Sequence, residues 1–369
     1  MPISAIDTIT LAFQHTRQQL IQPFRFGQWT RLALVGLLAG EMGSGGFNFP
    51  SNFNIPQQGG SSRHFVNPLT DRFPQIDPAI LAGVIATLVV TGFILAIVLL
   101  YVSSVMRFIL FDSVLAKDCH IRQGWSRRTG PGWRYFWWQL GYMMVVLGGL
   151  AVFVGIPAAF AYALGWFSQP GEHALGLVLG GIALFFVMFA VFVVTAVVHV
   201  LTKDFVVPQM ALEGIGAIEG WRRLWPMIKA EKGGYAGYIG MKIALAIGAG
   251  IVIGIASLIL GLIIAIPTVA LTLVAVLTGK SVGLTWNVFT ITVAVVVGSI
   301  LFAAFMYLVG LIAVPAIVFF PAYSIYFFAA RYRPLGMVLY PPSAAAGPAS
   351  EGGPPPEPPP LSLTPEPIG

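Results

Sequence analysis

The residue types that most often carry out chemistry are sparse and widely separated in this sequence. It contains 5 histidines and 1 cysteine in 369 residues, and no GxSxG, HExxH, P-loop or dinucleotide-binding pattern. Asp118, Cys119 and His120 are adjacent, but neighbouring side chains on a helix point about 100° apart and so form a poor metal cage. The sequence therefore predicts a protein that is not an enzyme and has no catalytic, cofactor-binding or metal-binding residues.

Charged side chains near apolar segments are the next candidates, because a charge inside a membrane is costly and usually functional. Charged residues make up 9% of the chain and hydrophobic residues 57%, whereas soluble domains carry about 25% charged residues. The centres of the apolar runs hold no charge. The candidates stand near the ends of the runs: Glu41, Arg107, Asp112, His199, Lys203 and Asp204. We expect Lys242, in the first turns of the fifth run, to extend towards lipid head groups. No buried carboxylate pair is predicted, which weakens the case for an ion-coupled transporter.

Aromatic and basic residues cluster in two similar stretches, GWSRRTGPGWRYFWW at 124–138 and GWRRLWPMIK at 220–229, with a looser version, GQWTRL, at 27–32. Trp and Tyr favour the head-group layer, and Lys and Arg bind lipid phosphates there. We predict a surface for anionic lipid head groups or a protein partner, while plain anchoring of the helices remains the simpler explanation. The predicted surface consists of Trp29, Arg31, Trp125, Arg127, Arg128, Trp133, Arg134, Trp221, Arg222, Arg223, Lys229 and Lys232.

Six apolar runs flank these stretches and determine where the stretches lie relative to the membrane. Crossing the hydrocarbon takes about 20 apolar residues in a helix, and the candidates are 29–42, 80–106, 135–167, 174–201, 236–266 and 288–320. Of the 20 Lys and Arg residues, only Arg63, Arg72 and Lys280 fall on one side of the resulting topology. The positive-inside rule then places both termini and the large basic loops in the cytoplasm. The positive charge therefore indicates a membrane protein rather than a nucleic-acid-binding one.

Similar segments precede these stretches, which suggests internal repetition. RFILFDSVLAKDCHIRQGW and KDFVVPQMALEGIGAIEGW each lead to the tryptophan of one stretch, and residues 5–40 form a looser third copy. The predicted fold is an all-α integral membrane domain at 1–335, with about six transmembrane helices. They form three repeated hairpins, each preceded by a cytoplasmic amphipathic helix. A Gly/Asn/Pro-rich loop at 43–78 is extracytoplasmic, and a Pro-rich tail at 336–369 is disordered.

Glycines recur along two of the predicted spans. Gly141, Gly148 and Gly155 lie in the third span, and Gly250, Gly254 and Gly261 lie in the fifth. Small residues at such spacings let helices approach closely in a membrane. We therefore expect tight helix contacts at these glycines.

The repeated unit, with Trp29, Trp125 and Trp221 in their basic flanks and VPAIVFFPAYSIYFFAARYRPL at 314–335, resembles a loose group of multi-pass membrane families. That group includes the membrane domain attached to some bacterial glycerophosphoryl diester phosphodiesterases. The resemblance covers most of residues 1–335 and has no counterpart of the catalytic barrel. It implies a membrane module without that activity, located in a bacterial inner membrane.

Two functions fit these patterns. The first is a non-catalytic, multi-pass plasma-membrane module that organises anionic lipids or partner proteins through its cytoplasmic helices or its Pro-rich tail. The alternative is a transporter or permease for a small or lipidic solute. Its polar path would be lined by Gln139, Thr195, Ser257, Thr268 and Ser299. Hydroxyls inside membrane helices usually bond to their own backbone, so the first function is favoured.

Overall fold

The computed structural model describes residues 4–41, 78–168, 171–281 and 288–340. Helices and the turns between them make up the described parts, which contain no strand. The α-helices are α1 Asp7–Leu20, α2 Phe26–Leu38, α3 Pro78–Ala116, α4 Ile121–Leu150, α5 Ile156–Ala163, α6 Ala174–Leu201, α7 Val207–Glu213, α8 Ala217–Ala230, α9 Lys232–Ser281, α10 Val288–Ala329 and α11 Arg333–Leu339. Two π-helical segments, π1 Ala151–Gly155 and π2 Thr202–Val206, interrupt the long helices.

Five helical segments in the described residues are long and apolar enough to cross a membrane. They are Ile85–Ala116, Ile121–Ala163, Ala174–Glu213, Lys232–Gly279 and Thr290–Ala329. The predicted first span at 29–42 is not among them. Its helix, α2, has 13 residues and is therefore about 20 Å long, short of the roughly 30 Å hydrocarbon core. The described residues thus contain five apolar helices of spanning length, which supports a multi-pass membrane protein.

The buried core lies at one end of the long helices. It includes α1 and α2, the last turns of α3 from Val105, the first half of α4 up to Phe136, and π2 with α7. The start of α9, the last part of α10 and α11 complete it. In contrast, the most apolar windows of the five long helices are between 0% and 11% buried. The chain therefore folds as a packed helical end from which apolar helices extend.

Aromatic rings fill the centre of this packed end. Tyr238 on α9 stacks on Tyr323 of α10 with ring centroids 5.1 Å apart, and Phe327 lies 4.5 Å from Tyr238. Phe205 of π2 lies 5.1 Å from both Tyr238 and Phe328. Such ring pairs contribute about 0.5–1.5 kcal/mol each beyond the burial of their area. They hold π2 and the facing ends of α9 and α10 together.

A proline lies two residues after the end of each π segment. Pro157 comes second in α5 after π1, and Pro208 comes second in α7 after π2. A proline inside a helix lacks the N–H donor and clashes with the preceding turn, and the wider π turn accommodates this. Because Lys203 and Asp204 lie within π2, the proline also shapes the backbone that carries two consecutive charges.

The predicted close contacts at the glycine stripes are largely absent within the chain. A methyl group built on Gly141, Gly148, Gly155 or Gly254 meets nothing within 4 Å, and one on Gly261 only approaches Phe305 at 3.6 Å. Tight contacts occur at other glycines instead. A methyl group on Gly132 would lie 2.6 Å from Val105 of α3. The spacing was misleading because Gly141, Gly148, Gly155 and Gly254 lie on helix faces that pack against no other helix among the described residues.

Two domain boundaries relate differently to the structure. The predicted tail begins at 336, but residues up to Leu339 belong to α11, whose Leu335 is fully buried. The packed end therefore extends a few residues further than predicted. Except for Pro78, which begins α3, the predicted loop at 43–78 lies outside the described residues, as does the tail after 340.

Candidate functional site

Five charged side chains from four separate segments meet in the packed end. We call Glu41, Arg107, Lys203, Asp204 and Lys242 the charged cluster. Glu41 follows α2, Arg107 is on α3, Lys203 and Asp204 are in π2, and Lys242 is on α9. Their side chains are buried, with exposed fractions between 2% and 9%. Buried charges of this kind are rare and need partners.

Two ion pairs account for four members of the charged cluster. Lys203 donates to Glu41, and Lys242 donates to Asp204. Asp204 also accepts a hydrogen bond of 2.9 Å from the hydroxyl of Tyr238. Burial alone would raise the pKa of Glu41, but Lys203 and Arg107 together hold this pKa below its ordinary value. Each carboxylate is therefore engaged with a lysine.

Arg107 is bonded differently from the other four. Its guanidinium donates to the Tyr135 hydroxyl at 2.6 Å and to the carbonyl oxygen of Ala39 at 3.1 Å. Its buried Nε–H has no hydrogen-bond partner, and it forms no ion pair with any described residue. With three cations and two carboxylates, the cluster carries one excess positive charge.

Four members of the charged cluster, Glu41, Arg107, Lys203 and Asp204, line a small cleft with a volume of about 20 Å³. Ser324 of α10 adds a hydroxyl to its lining. The rest of the lining is apolar and consists of Leu110, Phe111, Val207, Pro208, Pro321 and Ile325. Pockets that hold drug-sized ligands have about 300 Å³ or more, so this cleft is small.

The sequence showed these charges only as isolated ends of apolar runs. Lys242 does not extend to head groups as expected, because its ammonium bonds to Asp204 inside the protein. Glu41 and Asp204 line the same cleft, and each pairs with its own lysine. One signal was available in the sequence: Arg107 directly follows one long apolar run, Lys203 lies two residues after another, and Lys242 lies in the first turns of a third. Side chains in such places reach the same end of a helix bundle.

The three repeated tryptophans mainly hold the packed end together. The indole N–H of Trp29 donates to the carbonyl oxygen of Leu20 at 3.1 Å, and that of Trp221 donates to the Thr202 hydroxyl at 3.1 Å. Trp125 lies edge-on to Tyr101 at 6.2 Å. Of the predicted tryptophans, Trp133 is the most exposed, at 50%. The indole N–H groups of Trp29 and Trp221 thus bond within the protein, whereas the sequence predicted a surface for lipid head groups or a partner.

Three of the predicted arginines bind backbone carbonyls at the ends of other helices. Arg31 donates to Cys119 at 3.3 Å, Arg128 to Ala211 at 2.7 Å and Arg134 to Gly214 at 2.6 Å. Arg128 also pairs with both carboxylate oxygens of Asp112, each at 2.6 Å. The carbonyls of Ala211 and Gly214 lie at the C-terminal end of α7, where cationic side chains are stabilising. These arginines fasten neighbouring segments to one another.

The remaining basic residues of the predicted surface are exposed. Arg222 pairs with Glu219 at 2.8 Å, and Arg223 pairs with Glu213 and Glu219. The ammonium of Lys229 lies 5.5 Å from the centre of the Trp225 ring. Arg127 and Lys232 are exposed and pair with no carboxylate among the described residues. The structure thus does not gather the predicted residues into one site, and it leaves Arg127 and Lys232 most available for ligands.

The adjacent Asp118, Cys119 and His120 do not form a reactive group. The Cys119 side chain is buried, which raises the pKa of its thiol. Asp118 accepts a hydrogen bond of 2.8 Å from the backbone N–H of Cys119, and His120 is exposed. In the part of the chain that the structure describes, no three His, Cys, Asp or Glu residues are close enough to hold a metal ion.

Comparison with known proteins identifies the family. A family of unknown function, DUF7544, matches residues 3–338. No curated protein and no solved structure matches the chain. The resemblance to phosphodiesterase membrane domains therefore stays a prediction. Because the match covers α1 through α11 almost completely, the packed end and the apolar helices together constitute the family's domain. The chain belongs to the DUF7544 family.

Proposed function

We propose that this protein is a non-catalytic plasma-membrane module that organises anionic lipids or partner proteins around its apolar helices. One observation carries the proposal: the helices are packed at one end and almost unpacked along their most apolar windows. An apolar helix that does not pack on its own chain needs lipid or another protein along its sides. The module would therefore act through what surrounds its helices.

The exposed side chains show how strongly such surroundings are required. On α6 alone, Leu175, Phe185 and Phe192 are exposed by 74%, 65% and 70%. Covering one side chain of this size contributes about 1.5–3 kcal/mol. The glycines Gly141 and Gly148 on α4 also face open space, which leaves room for a partner helix. These features support lateral association within the membrane.

The topology in this proposal keeps both termini in the cytoplasm of a bacterium. Ala39, near the end of α2, contacts Arg107, whereas Pro78 begins the same α3 helix about 43 Å away. Residues at both ends of the described chain, Ala12 on α1 and Leu335 on α11, lie in the packed end, which supports placing both termini on one side of the membrane. The charge distribution supports a cytoplasmic position for the packed end.

Paired contacts also support the proposed internal repetition. Arg107 bonds to Tyr135 while the next residue, Phe108, lies 5.9 Å from the same ring. Asp204 bonds to Tyr238 while the next residue, Phe205, lies 5.1 Å from that ring. The two segments that precede the aromatic–basic stretches thus use matching positions for matching contacts.

Native mass spectrometry of the full chain released from nanodiscs tests the proposal. The nanodiscs contain phosphatidylglycerol and phosphatidylcholine in equal amounts. We expect the wild type to retain phosphatidylglycerol preferentially, and Arg127→Gln with Lys232→Gln to retain less of it. The matched control, Arg17→Gln with Arg25→Gln, removes two exposed charges outside the predicted surface. Equal lipid retention by all three proteins, without a co-purifying protein partner, would refute the proposal.

A transporter is the second candidate because the charged cluster lines a cleft beside the apolar helices. The predicted polar path gives it little support. The hydroxyls of Thr268 and Ser299 bond to carbonyls of their own helix, at 2.7 Å each, as membrane-helix hydroxyls ordinarily do. Ser257 is buried with an unpartnered hydroxyl, and Gln139 accepts only a long 3.4 Å bond from Ser104. A saturable solute flux into proteoliposomes would favour this candidate.

A further inference from the structure

The outward side of α8 carries a stripe of alternating apolar and cationic side chains. Ile218, Arg222, Trp225 and Lys229 follow one another at spacings of four, three and four residues, so they share one side of the helix. All four are exposed, Ile218 by 78% and Trp225 by 53%. Leu224, on the opposite side, is fully buried in the packed end. We call the four exposed residues the α8 stripe, and its two large apolar side chains favour a partner other than water.

The α8 stripe is also positively charged. Lys229 pairs with no carboxylate among the described residues, and its ammonium lies 5.5 Å from the centre of the Trp225 ring. Arg222 pairs with Glu219 at 2.8 Å, but the Arg222 side chain is 77% exposed. Exposed pairs of this kind are weak, so a phosphate oxygen competes readily for Arg222. Tryptophan beside lysine and arginine is the combination found on helices that lie at a membrane surface.

Two contacts of α8 fix its depth relative to the membrane. The Trp221 indole N–H donates to the Thr202 hydroxyl at 3.1 Å, and a methyl group built on Gly220 would lie 2.7 Å from Val206. Thr202 and Val206 belong to π2, which directly follows the apolar helix α6 ending at Leu201. At about 1.5 Å per residue, both contacts lie within about 8 Å of the end of α6. The head-group layer on each side of a bilayer is about 5–8 Å deep. With α6 in the hydrocarbon, α8 therefore crosses π2 at the depth of this layer.

An exposed tryptophan on the neighbouring helix lies at a similar depth. Trp133 of α4 is 50% exposed, and its ring lies 5.7 Å from that of Tyr101 on α3. Tyr101 is two residues beyond Leu99, the last large apolar side chain that is exposed on α3. Arg134, the next residue on α4, donates to the carbonyl oxygen of Gly214 shortly before α8 begins. Since tryptophan favours the head-group layer, α4 and α8 indicate the same membrane boundary.

We propose that α8 lies in the head-group layer of an anionic membrane leaflet and that the α8 stripe is its lipid-contacting side. Ile218 and Trp225 reach the acyl-chain boundary, while Arg222 and Lys229 bind lipid phosphates. This contact rests on the proposed function and deepens it, since it selects lipid over protein as the partner of this surface. Ile218 and Trp225 were not part of the surface that the sequence predicted, because their exposure depends on how α8 packs.

Collision measurements on the spin-labelled full chain in nanodiscs test the depth of α8. Ile218→Cys and Trp225→Cys each carry one nitroxide in a Cys119→Ala background. The control label is at Gln14→Cys, an exposed position on α1. Its neighbour His15 bonds to the carbonyl oxygen of Val114, about 22 Å beyond Leu99 along α3. The nanodiscs contain phosphatidylglycerol and phosphatidylcholine in equal amounts. We expect a higher ratio of oxygen collisions to nickel-chelate collisions at both α8 labels than at the control label.

Two results of this measurement would overturn the proposal. A collision ratio at both α8 labels equal to that of the control label would show that the α8 stripe faces water. Protection of both labels from oxygen and from the nickel chelate alike would show that a protein surface, such as a second copy of this chain, covers the stripe.

The charge of the lipid provides a second measurement. Lys229→Gln removes one cation of the α8 stripe and breaks no ion pair among the described residues. A single Lys or Arg near an anionic surface changes the binding equilibrium by about fivefold. For the label at Ile218→Cys, we therefore expect Lys229→Gln to lower the ratio of membrane-contacting to free label about fivefold. Nanodiscs of phosphatidylcholine alone should show little change, and the matched control Arg17→Gln on α1 should have no effect in either lipid. An equal fall in both lipids would overturn the assignment of Lys229 to lipid phosphates.

Failure of the α8 contact can be distinguished from failure of the proposed function. Preferential retention of phosphatidylglycerol by the wild type, together with water-exposed α8 labels, would overturn the α8 contact and leave the proposed function standing. Lipid contact by both α8 labels, together with unchanged lipid retention in Arg127→Gln with Lys232→Gln, would support the α8 contact and count against the proposed role of those two residues.

Discussion

The ion pair between Lys203 and Glu41 offers the sharpest test of the charged cluster. Replacing either partner alone should lower the free energy of unfolding, but by different amounts. Replacing one partner of a buried pair costs about 3–5 kcal/mol, since the remaining charge is left uncompensated. Glu41→Gln leaves Lys203, Arg107 and Lys242 facing only Asp204, which raises the excess positive charge of the cluster from one to two. We expect this variant to lose the full 3–5 kcal/mol.

Lys203→Gln should cost less than Glu41→Gln. It leaves Glu41 beside Arg107, whose charge already lowers the pKa of that carboxyl, and it leaves the cluster with two cations and two carboxylates. We expect a loss of about 1–2 kcal/mol, in the range for an imperfectly replaced hydrogen-bond partner. The double substitution should cost less than the sum of the two, because neither charge is then stranded.

Reversible unfolding in mixed micelles with increasing dodecyl sulfate measures these free energies. The exposed Lys232→Gln serves as the control and should change the free energy of unfolding by less than about 0.5 kcal/mol. Circular dichroism of each variant before unfolding verifies that its helices are intact. A greater loss for Lys203→Gln than for Glu41→Gln, or strict additivity of the two, would refute the excess of positive charge that we derive from the structure.

Three further predictions concern the packed end. Gly132→Ala should lower the free energy of unfolding by about 1–3 kcal/mol, because the new methyl group would lie 2.6 Å from Val105. The control Gly141→Ala meets open space and should not destabilise the protein. Equal unfolding curves of the two variants in micelles would contradict the contact between α3 and α4. Arg128→Gln breaks the paired bonds to Asp112 and the bond to Ala211 and should cost about 2 kcal/mol, while its neighbour Arg127→Gln should have no measurable effect on the same curves. Burial lowers the pKa of His15 below 6.5. The folded state therefore binds fewer protons than the unfolded state and loses stability as the pH falls below about 6.5. His15→Gln should reduce the drop in Tm between pH 7.5 and pH 5.5, and an unchanged drop would exclude this contribution.

Part of the site could be predicted from the order of residues. Trp125, Arg128 and Trp221 stood out because aromatic and basic residues cluster around them, and they do lie in the packed end. Their roles were harder to foresee. Arg128 pairs with Asp112, which lies 16 positions away in sequence, and a basic residue drawn to lipid has the same local sequence as one that bonds inside the protein.

The amino-acid sequence alone predicts that the chain is helical and apolar enough for a membrane. Segments with such a high content of apolar residues satisfy their backbone hydrogen bonds in lipid only as helices or closed barrels, and their lengths suit helices. It also determined that charges lie only where the apolar runs end. Both properties follow from composition along a short stretch and need no knowledge of distant residues.

Which helix ends meet, and what site they form, depends on how the helices pack. A helix that is apolar on all sides carries no pattern that fixes its rotation or its neighbours, so the meeting of Glu41 with Lys203, 162 positions apart, left no trace in local sequence. The same holds for α2. Its apolar residues predicted a membrane span, but the hydrogen bond from Arg107 to Ala39 places the end of α2 in the packed end. Ion pairing inside the protein requires that side chains from four segments point into one cleft, and that orientation exists only once the segments have packed.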